Sequence, residues 1–144
     1  MADELDAVDR VIGANLVFGV YDHSGTPSMR GVRPSDVPDI LNADPSRFIN
    51  QCFLPGLSPE ECRAPSISPL YADLHGLPPA LFTVGSADHL LDDSLFMAAR
   101  WEAYGNESEL AVYPDCIHGF PAFPTELSKR ANERIDAFIE RVLG

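Results

Sequence analysis

One stretch of the chain, residues 80–113, constrains the fold more than any other, because two apolar runs enclose a helical pattern. Residues 80–85 and 109–113 are short and mostly apolar, which is typical of strands buried on both faces of a parallel sheet. Residues 92–104 between them have the apolar periodicity of a helix. A strand, a helix and a second strand within about 34 residues form a βαβ unit, which requires parallel strands and a right-handed crossover.

The helix at 92–104 carries signals at both ends. We expect Asp92 or Asp93 to cap its first turn, because a short side chain with an acceptor oxygen satisfies the free backbone N–H groups there. We expect Gly105-Asn106 to end it, because both residues tolerate the left-handed conformation that ends many helices. Two apolar faces of this helix are interpreted as packing surfaces, one with Met97, Trp101 and Tyr104 and the other with Leu91, Leu95 and Ala98.

Three further segments complete the predicted architecture. Residues 14–21 form a nearly uninterrupted apolar run, which predicts a third buried strand. Residues 2–10 predict a short helix or the tail of one, and a last helix is predicted from Thr125 to about Leu143. The expected buried stripe of that last helix consists of Leu127, Ala131, Ile135, Phe138 and Val142. The predicted fold is therefore α/β, with three parallel strands and flanking helices.

The middle of the chain has a different character, because ten of the 13 prolines lie between Pro27 and Pro79. Such punctuation predicts loops and short helices. One short helix is expected to begin at Ser35, and another at Asp44-Pro45, since proline is tolerated at the first helical position. A loop-rich segment of this length usually has a function, such as a lid or a binding loop.

Length and charge limit the function classes. The 144 residues suit one domain with a single core. Asp and Glu total 22 against 10 Lys and Arg, so the net charge is −12. A surface this acidic repels phosphate backbones and anionic lipids, and no apolar run approaches the ~20 residues of a membrane helix. We therefore expect neither nucleic-acid nor membrane binding.

The first residues and the cysteines bear on the compartment. The acidic start, MADELDAVDR, lacks the apolar core of a signal peptide. Three cysteines, an odd number, do not make a disulfide framework. We expect a cytoplasmic chain with reduced thiols, with a Cys52–Cys62 pair as the alternative.

Asp88 and His118 follow the two strands of the βαβ unit at their carboxyl ends. Because these ends meet at one edge of a parallel sheet, where ligands also bind, we expect the two side chains to lie close together. An acid beside an imidazole accepts the ring N–H, fixes the tautomer and stabilises the imidazolium once the other nitrogen takes a proton. The pair is therefore a candidate acid–base site.

Other interpretations of this edge stay open. Asp88 and His118 could be ordinary loop residues. With His89 and Asp92 they also have the ligand types of a metal site, although no motif with metal-ligand spacing accompanies them. Cys116 could be a thiol nucleophile, but it lies in the loop of the candidate base, and a partly buried structural cysteine is the simpler interpretation. We expect neither a metal nor a cofactor.

Four motifs, in order and at consistent spacing, give the chain a family resemblance. They are Ser68-Pro69-Leu70, Leu77-Pro78-Pro79, Asp88-His89-Leu90-Leu91-Asp92 and His118-Gly119-Phe120. The sequence resembles the C-terminal half of α/β-hydrolases of the hormone-sensitive-lipase-like esterase family. Tyr21-Asp22 and Thr26-Pro27-Ser28 extend the resemblance, which spans about residues 12–140.

The resemblance implies a carboxylic-ester hydrolase that acts on a small ester. By the same resemblance Asp88 is the acid and His118 the general base of a Ser-Asp-His triad, and Asp92 matches a second loop aspartate that caps the helix. His89 departs from the proline usual after the triad acid, and Asp115 stands where a small residue is common. Residues 22–68 correspond to a cap-like insertion that covers the acyl pocket.

The sequence contains neither a Gly-x-Ser-x-Gly nucleophile motif nor a His-Gly-Gly-Gly oxyanion segment. We therefore expect a truncated hydrolase domain over residues 1–144, without its nucleophile half and inactive in isolation. The alternatives are a non-catalytic relic or interaction module, and one half of a split esterase whose N-terminal half is a separate chain. In each case the strand at 14–21 would keep an apolar edge, which predicts self-association.

Overall fold

The computed structural model describes residues 11–31 and 52–144. Within them a three-stranded parallel sheet has the order β1-β2-β3, with β1 at Ala14–Val17, β2 at Ala80–Gly85 and β3 at Ser108–Tyr113. Phe82 of the central strand aligns with Leu16 on one side and Leu110 on the other. The predicted class, α/β with three parallel strands and flanking helices, is confirmed.

Helices lie on both faces of this sheet. The helices of the described residues are α1 (Pro27–Gly31), α2 (Pro59–Cys62), α3 (Leu91–Ala103) and α4 (Glu126–Leu143), with short 3-10 turns at Pro69–Tyr71 and Phe120–Ala122. Phe82 points to one face and packs in a cluster with Met97 and Trp101 of α3. Leu81 points to the other face and packs with Phe138 of α4. The alternation along β2 therefore gives each helix its own part of the core.

The two long helices begin and end close to where the sequence predicts. Thr125 caps α4, because its hydroxyl oxygen accepts a hydrogen bond from the backbone N–H of Ser128 at 3.1 Å. Gly105 follows α3 with a φ of +82°, a left-handed conformation that favours glycine. Ala131 and Phe138 of the predicted stripe of α4 are buried.

The first strand is shorter and less buried than predicted. Its pairing ends at Val17, because Phe18 adopts a φ of +40° and turns the chain out of the extended conformation. Within the described residues β1 pairs only with β2, and its residues are half-buried or exposed. The prediction of a buried strand through Tyr21 is therefore wrong for residues 18–21.

The predicted cap of α3 is also wrong. Leu90 is the residue that precedes the helix, and its own side chain makes no capping hydrogen bond. The backbone N–H of Asp92, in the first turn, donates instead to the Ser28 hydroxyl at 3.1 Å. Asp92 instead accepts a hydrogen bond from the backbone N–H of Ser28 at 2.7 Å. Asp93 accepts one from the backbone N–H of Tyr21 at 2.8 Å. Both carboxylates tie the start of α3 to the segment after β1, which is 64 to 72 residues away in sequence.

The remaining predictions concern three short helices, the cysteines and membrane-spanning helices. The helix at 2–10 and the helices beginning at Ser35 and Asp44-Pro45 lie outside the described residues. Cys52, Cys62 and Cys116 are all unpaired in the structure, and the reduced state of the thiols stays a prediction. Among the helices of the described ranges, none is long and apolar enough to cross a membrane.

Candidate active site

Backbone hydrogen bonds hold the loops that follow β2 and β3 against each other. Ser86 donates its backbone N–H to the carbonyl of Tyr113 at 2.8 Å, and Ala87 donates to the carbonyl of Cys116 at 3.0 Å. The Ser86 hydroxyl also accepts from the backbone N–H of Asp115 at 2.8 Å. These bonds continue the pairing of β2 and β3 beyond the sheet, so the two loops have a fixed relative position.

Gly85 makes this close approach possible. A Cβ atom at this position would overlap with the carbonyl carbon and oxygen of Cys116. Any side chain here would push the loop after β3 away from β2. The glycine at the end of the predicted strand is therefore required by the packing of the two loops.

The structure brings Asp88 and His118 together at this edge, as the strand-end argument predicts. The Nδ1 atom of His118 lies 3.1 Å from each carboxylate oxygen of Asp88. Because a carboxylate only accepts, His118 donates through Nδ1–H, and Nε2 remains the basic nitrogen. The Asp88 side chain is 0% exposed and that of His118 is 27% exposed. The acid is thus buried while the base is reachable from solvent.

Asp88 has a further hydrogen bond that fixes its orientation. Its Oδ1 atom accepts from the backbone N–H of Leu90 at 2.8 Å. Leu90 is itself buried and packs against Met29. The carboxylate is therefore held by its own loop, independently of the histidine.

Two rings enclose the imidazole of His118. Phe18 contacts it edge to face, with ring centroids 4.6 Å apart, and His89 lies at a tilt with centroids 4.9 Å apart. Phe18 adopts the strained φ of +40° while its N–H donates to the Thr83 carbonyl at 2.8 Å. The motifs in the sequence do not single out Phe18. Its position directly after β1, at the same edge of the sheet, is the signal that could have identified it.

The remaining predicted residues of this edge separate into two groups. Asp88, His89 and His118 place one possible ligand atom each within 4.8 Å of one another. Asp92 is not part of this group, because its carboxylate faces Ser28. Asp115 is exposed and has a φ of +55° in the turn before His118.

Cys116 is partly buried, as expected for a structural cysteine. Burial raises the pKa of its thiol, and the negative charge of Asp115 raises the pKa further. A raised pKa reduces the thiolate fraction, and the thiolate is the nucleophilic form. The position of Cys116 in the loop of the candidate base and the raised pKa of its thiol therefore both argue against a cysteine nucleophile.

Asp93 forms a second buried carboxylate site five residues after Asp88. It is completely buried and receives hydrogen bonds from three donors: the backbone N–H groups of Tyr21 and Asp22 at 2.8 and 2.9 Å, and the Thr26 hydroxyl at 2.6 Å. Desolvation nevertheless raises the pKa of Asp93, with a smaller contribution from the nearby charge of Asp22. Burial also raises the pKa of the Tyr21 phenol.

Comparison with known proteins identifies the fold family. The sequence profile of a family described as the alpha/beta hydrolase fold matches residues 4–122, which is most of the chain. The chain belongs to this family, in its hormone-sensitive-lipase-like branch.

Named relatives agree with this membership. The chain is 29% identical over 131 residues to the hormone-sensitive lipase of Bos taurus, an alignment that covers 78% of this chain and 17% of that protein. It is 30% identical over 109 residues to an acetyl-hydrolase of Streptomyces hygroscopicus, covering 73% of this chain and 35% of that protein.

Solved structures are similar over nearly the whole chain. A hyperthermophilic esterase from the archaeon Pyrobaculum calidifontis superimposes with a TM-score of 0.82 at 28% identity, covering 96% of this chain and 47% of that one. A hormone-sensitive lipase from a metagenome library superimposes with a TM-score of 0.84 at 26% identity, covering 99% and 48%. The chain therefore spans less than half the length of the proteins that it matches.

Proposed function

We propose that this chain supplies the acid and the base of a Ser-Asp-His triad for carboxylic-ester hydrolysis, with the nucleophile on a segment outside these 144 residues. The observation that carries the proposal is the contact between His118 Nδ1 and both oxygens of the buried Asp88, at 3.1 Å. A buried carboxylate whose partner is a reachable imidazole can assist proton transfer, whereas a solvated pair is screened by water.

Each residue has a definite role in the proposed reaction. A serine oxygen attacks the ester carbonyl, and its proton passes to Nε2 of His118 while the C–O bond forms. When the tetrahedral intermediate collapses, the same proton moves to the departing alcohol. Asp88 keeps Nδ1 protonated throughout and stabilises the transient imidazolium. Phe18 and His89 restrict rotation of the ring, so that Nε2 keeps one direction.

The substrate class and the surroundings of the pocket are part of the same proposal. Relatives are named lipase, esterase and acetyl-hydrolase, which supports a small ester as substrate. Residues 22–68 would be the cap-like insertion over the acyl group. The cytoplasmic location and the lack of nucleic-acid and membrane partners stay predictions from charge and sequence.

Two measurements test the proposal. The isolated chain is expected not to hydrolyse p-nitrophenyl butyrate above the level of bovine albumin, because base and acid without a nucleophile supply little catalysis. Joined behind the N-terminal half of the Pyrobaculum calidifontis esterase, the chain is expected to form an active enzyme that a serine-directed phosphonate inhibits. His118→Ala in that fusion is expected to abolish turnover.

Two results would contradict it. One is saturable hydrolysis by the isolated chain that disappears with the phosphonate. The other is a fusion whose turnover is unchanged by His118→Ala. The matched control is His75→Gln, since His75 is an exposed histidine that also contacts an aspartate, at 2.6 Å.

A second candidate function, an interaction module or half of a split esterase, is favoured by the outer edge of β1. Within the described residues this edge has no partner strand, and the adjoining Val11 and Ile12 are each about half exposed (51% and 53%). The proposed partner is a second polypeptide that adds a strand here, and a second copy of this chain takes that place when none is supplied.

Light scattering against concentration tests this surface. Self-association is expected to increase with salt, because salt screens the net charge of −12 that keeps copies apart. Val17→Lys on β1 is expected to reduce it, whereas Phe96→Lys on the exposed face of α3 is not. Val20 is unsuitable as a test position, because it lies beyond β1 and packs against Met29 and Leu90. A monomer at high salt that neither substitution changes would contradict the proposal.

A further inference from the structure

His89 gives the Asp88–His118 pair a third potential ligand. Its Nδ1 atom lies 3.6 Å from Oδ1 of Asp88, while His118 Nδ1 lies 3.1 Å from Oδ2. The possible ligand atoms of the three residues all lie within 4.8 Å of one another. Two imidazoles and one carboxylate therefore lie side by side at the edge of the sheet.

The spacing suits a four-coordinate metal ion. Zinc binds histidine nitrogen and carboxylate oxygen at roughly 2.0–2.2 Å, so neighbouring ligands of a tetrahedral site lie roughly 3.3–3.5 Å apart. The separations of 3.1 and 3.6 Å lie on either side of this range. Small movements of the two rings would complete the geometry. Three protein ligands would leave the fourth position to water.

The surroundings hold two of the three ligands in place before any ion arrives. Asp88 is fixed by the backbone N–H of Leu90 at 2.8 Å, and the backbone of His89 is fixed by the Ser28 hydroxyl, which donates to its carbonyl at 2.9 Å. The side chains of Asp88 and His89 are 0% and 3% exposed. His118 is the solvent-facing ligand and provides the path of entry.

We propose that Asp88, His89 and His118 bind a borderline divalent transition metal ion, with zinc as the natural candidate. This departs from the sequence expectation of no metal. Imidazole ligands select zinc and cobalt over magnesium, which prefers oxygen ligands and its own water shell.

The site has a consequence that rests on the proposed function. A metal bound to Nδ1 of His118 uses the lone pair of that nitrogen, so the neutral ring carries its proton on Nε2. Nε2–H cannot accept the proton of a nucleophile. Metal binding and general-base catalysis therefore exclude each other at the same histidine, and the ion acts as an inhibitor that competes with the triad.

Metal titration of the whole chain tests the site without any need for activity. After treatment with a chelator, the chain is titrated with Zn²⁺ by calorimetry and with Co²⁺ by visible absorption, whose intensity reports four-coordinate geometry. Mg²⁺ is the matched negative ion. We expect one Zn²⁺ or Co²⁺ per chain and no binding of Mg²⁺.

Substitutions assign the ligands. His89→Gln and His118→Gln are each expected to weaken Zn²⁺ binding by at least about 100-fold, because the loss of a direct ligand costs no less than the loss of a group that supports one. His75→Gln is expected to leave it unchanged, although His75 also contacts an aspartate. Circular dichroism checks that each variant is folded. If the buried position 89 does not tolerate glutamine, the part-exposed His118 decides.

The results separate this inference from the proposed function. Any one of three results overturns the metal site. The chain binds neither Zn²⁺ nor Co²⁺, His75→Gln weakens Zn²⁺ binding as much as the ligand substitutions do, or His118→Gln leaves Zn²⁺ binding unchanged. The metal site is also overturned if turnover of the fusion enzyme depends on His118 but is unchanged by excess Zn²⁺. That result leaves the proposed function intact. The opposite result is also possible: Zn²⁺ binding requires His89 and His118, but the fusion enzyme shows no turnover. That result supports the metal site and counts against the proposed function.

Discussion

Asp88 and Asp93 belong to the same segment after β2, and both are buried, yet they have different partners. Asp88 faces the imidazole of His118 with both oxygens. Asp93 faces backbone N–H groups and one hydroxyl, those of Tyr21, Asp22 and Thr26. The first carboxylate meets a group that can exchange a proton with solvent. The second meets two backbone N–H groups and a hydroxyl, which donate hydrogen bonds to it and do not act as a general base.

This difference shows that burial alone does not identify a catalytic acid. Burial raises the pKa of Asp93, and a shifted pKa near a strand-end site is often taken as a sign of function. Here the hydrogen-bond partners indicate a structural role, because they join the start of α3 to the segment that follows β1. The identity of the partner, rather than the degree of burial, distinguishes the two carboxylates.

The largest expected effect is on turnover in the fusion enzyme. Asp88→Asn is expected to lower kcat roughly 10⁴-fold, because an amide no longer fixes the tautomer of His118 or stabilises its charged form. Asp92→Asn is the matched control and is expected to keep most of the activity, since its carboxylate faces Ser28. If Asp92→Asn proves as damaging as Asp88→Asn, the assignment of the acid is wrong.

The next effect is on stability. Asp93→Ala is expected to lower the free energy of unfolding by at least about 3 kcal/mol, because it leaves three buried donors without an acceptor. Urea unfolding of the isolated chain measures the change. Asp92→Ala removes one part-buried hydrogen bond and is expected to cost about 1 kcal/mol. Equal losses in the two variants would contradict the structural role assigned to Asp93.

A third substitution tests whether the Asp88–His118 contact depends on the joined loops. Gly85→Ala is expected to cost about 1–3 kcal/mol, because the new methyl group overlaps with the Cys116 carbonyl. It is also expected to move His118 away from Asp88, which the loss of the downfield Nδ1 proton signal in NMR would report. Gly31→Ala is the control, since nothing lies within 4 Å of a Cβ atom there. An unchanged His118 signal in Gly85→Ala would contradict the role of this glycine.

The smallest expected effect is the pH dependence of Asp93. Because its pKa is raised on folding, the folded chain holds this proton more tightly than the unfolded chain does. Its contribution to stability is greatest below the ordinary carboxyl pKa of about 4 and is lost as pH rises through the higher folded value. The difference in unfolding free energy between the wild type and Asp93→Asn is therefore expected to shrink between about pH 4 and about pH 7. Urea unfolding at several pH values measures it, and a difference that grows with pH would contradict the assigned shift.

The sequence by itself determined the elements that depend on local pattern. The apolar runs predicted β2 and β3, the 3.6-residue periodicity predicted α3 and α4, and the ends of parallel strands predicted that Asp88 and His118 would be neighbours. These signals lie within single segments, or follow from a general rule of sheet topology, so they are readable without a structure.

Only the tertiary structure decided which groups each buried side chain meets. The partner of Asp93 is Tyr21, 72 residues away in sequence, so a helix cap was a reasonable but wrong prediction for this carboxylate. The turn at Phe18, which ends β1 and puts a ring against His118, likewise depends on contacts between separate strands and loops. A hydrogen bond or ring contact of this kind is set by the position of both partners in space, and the local pattern of neither segment contains that information.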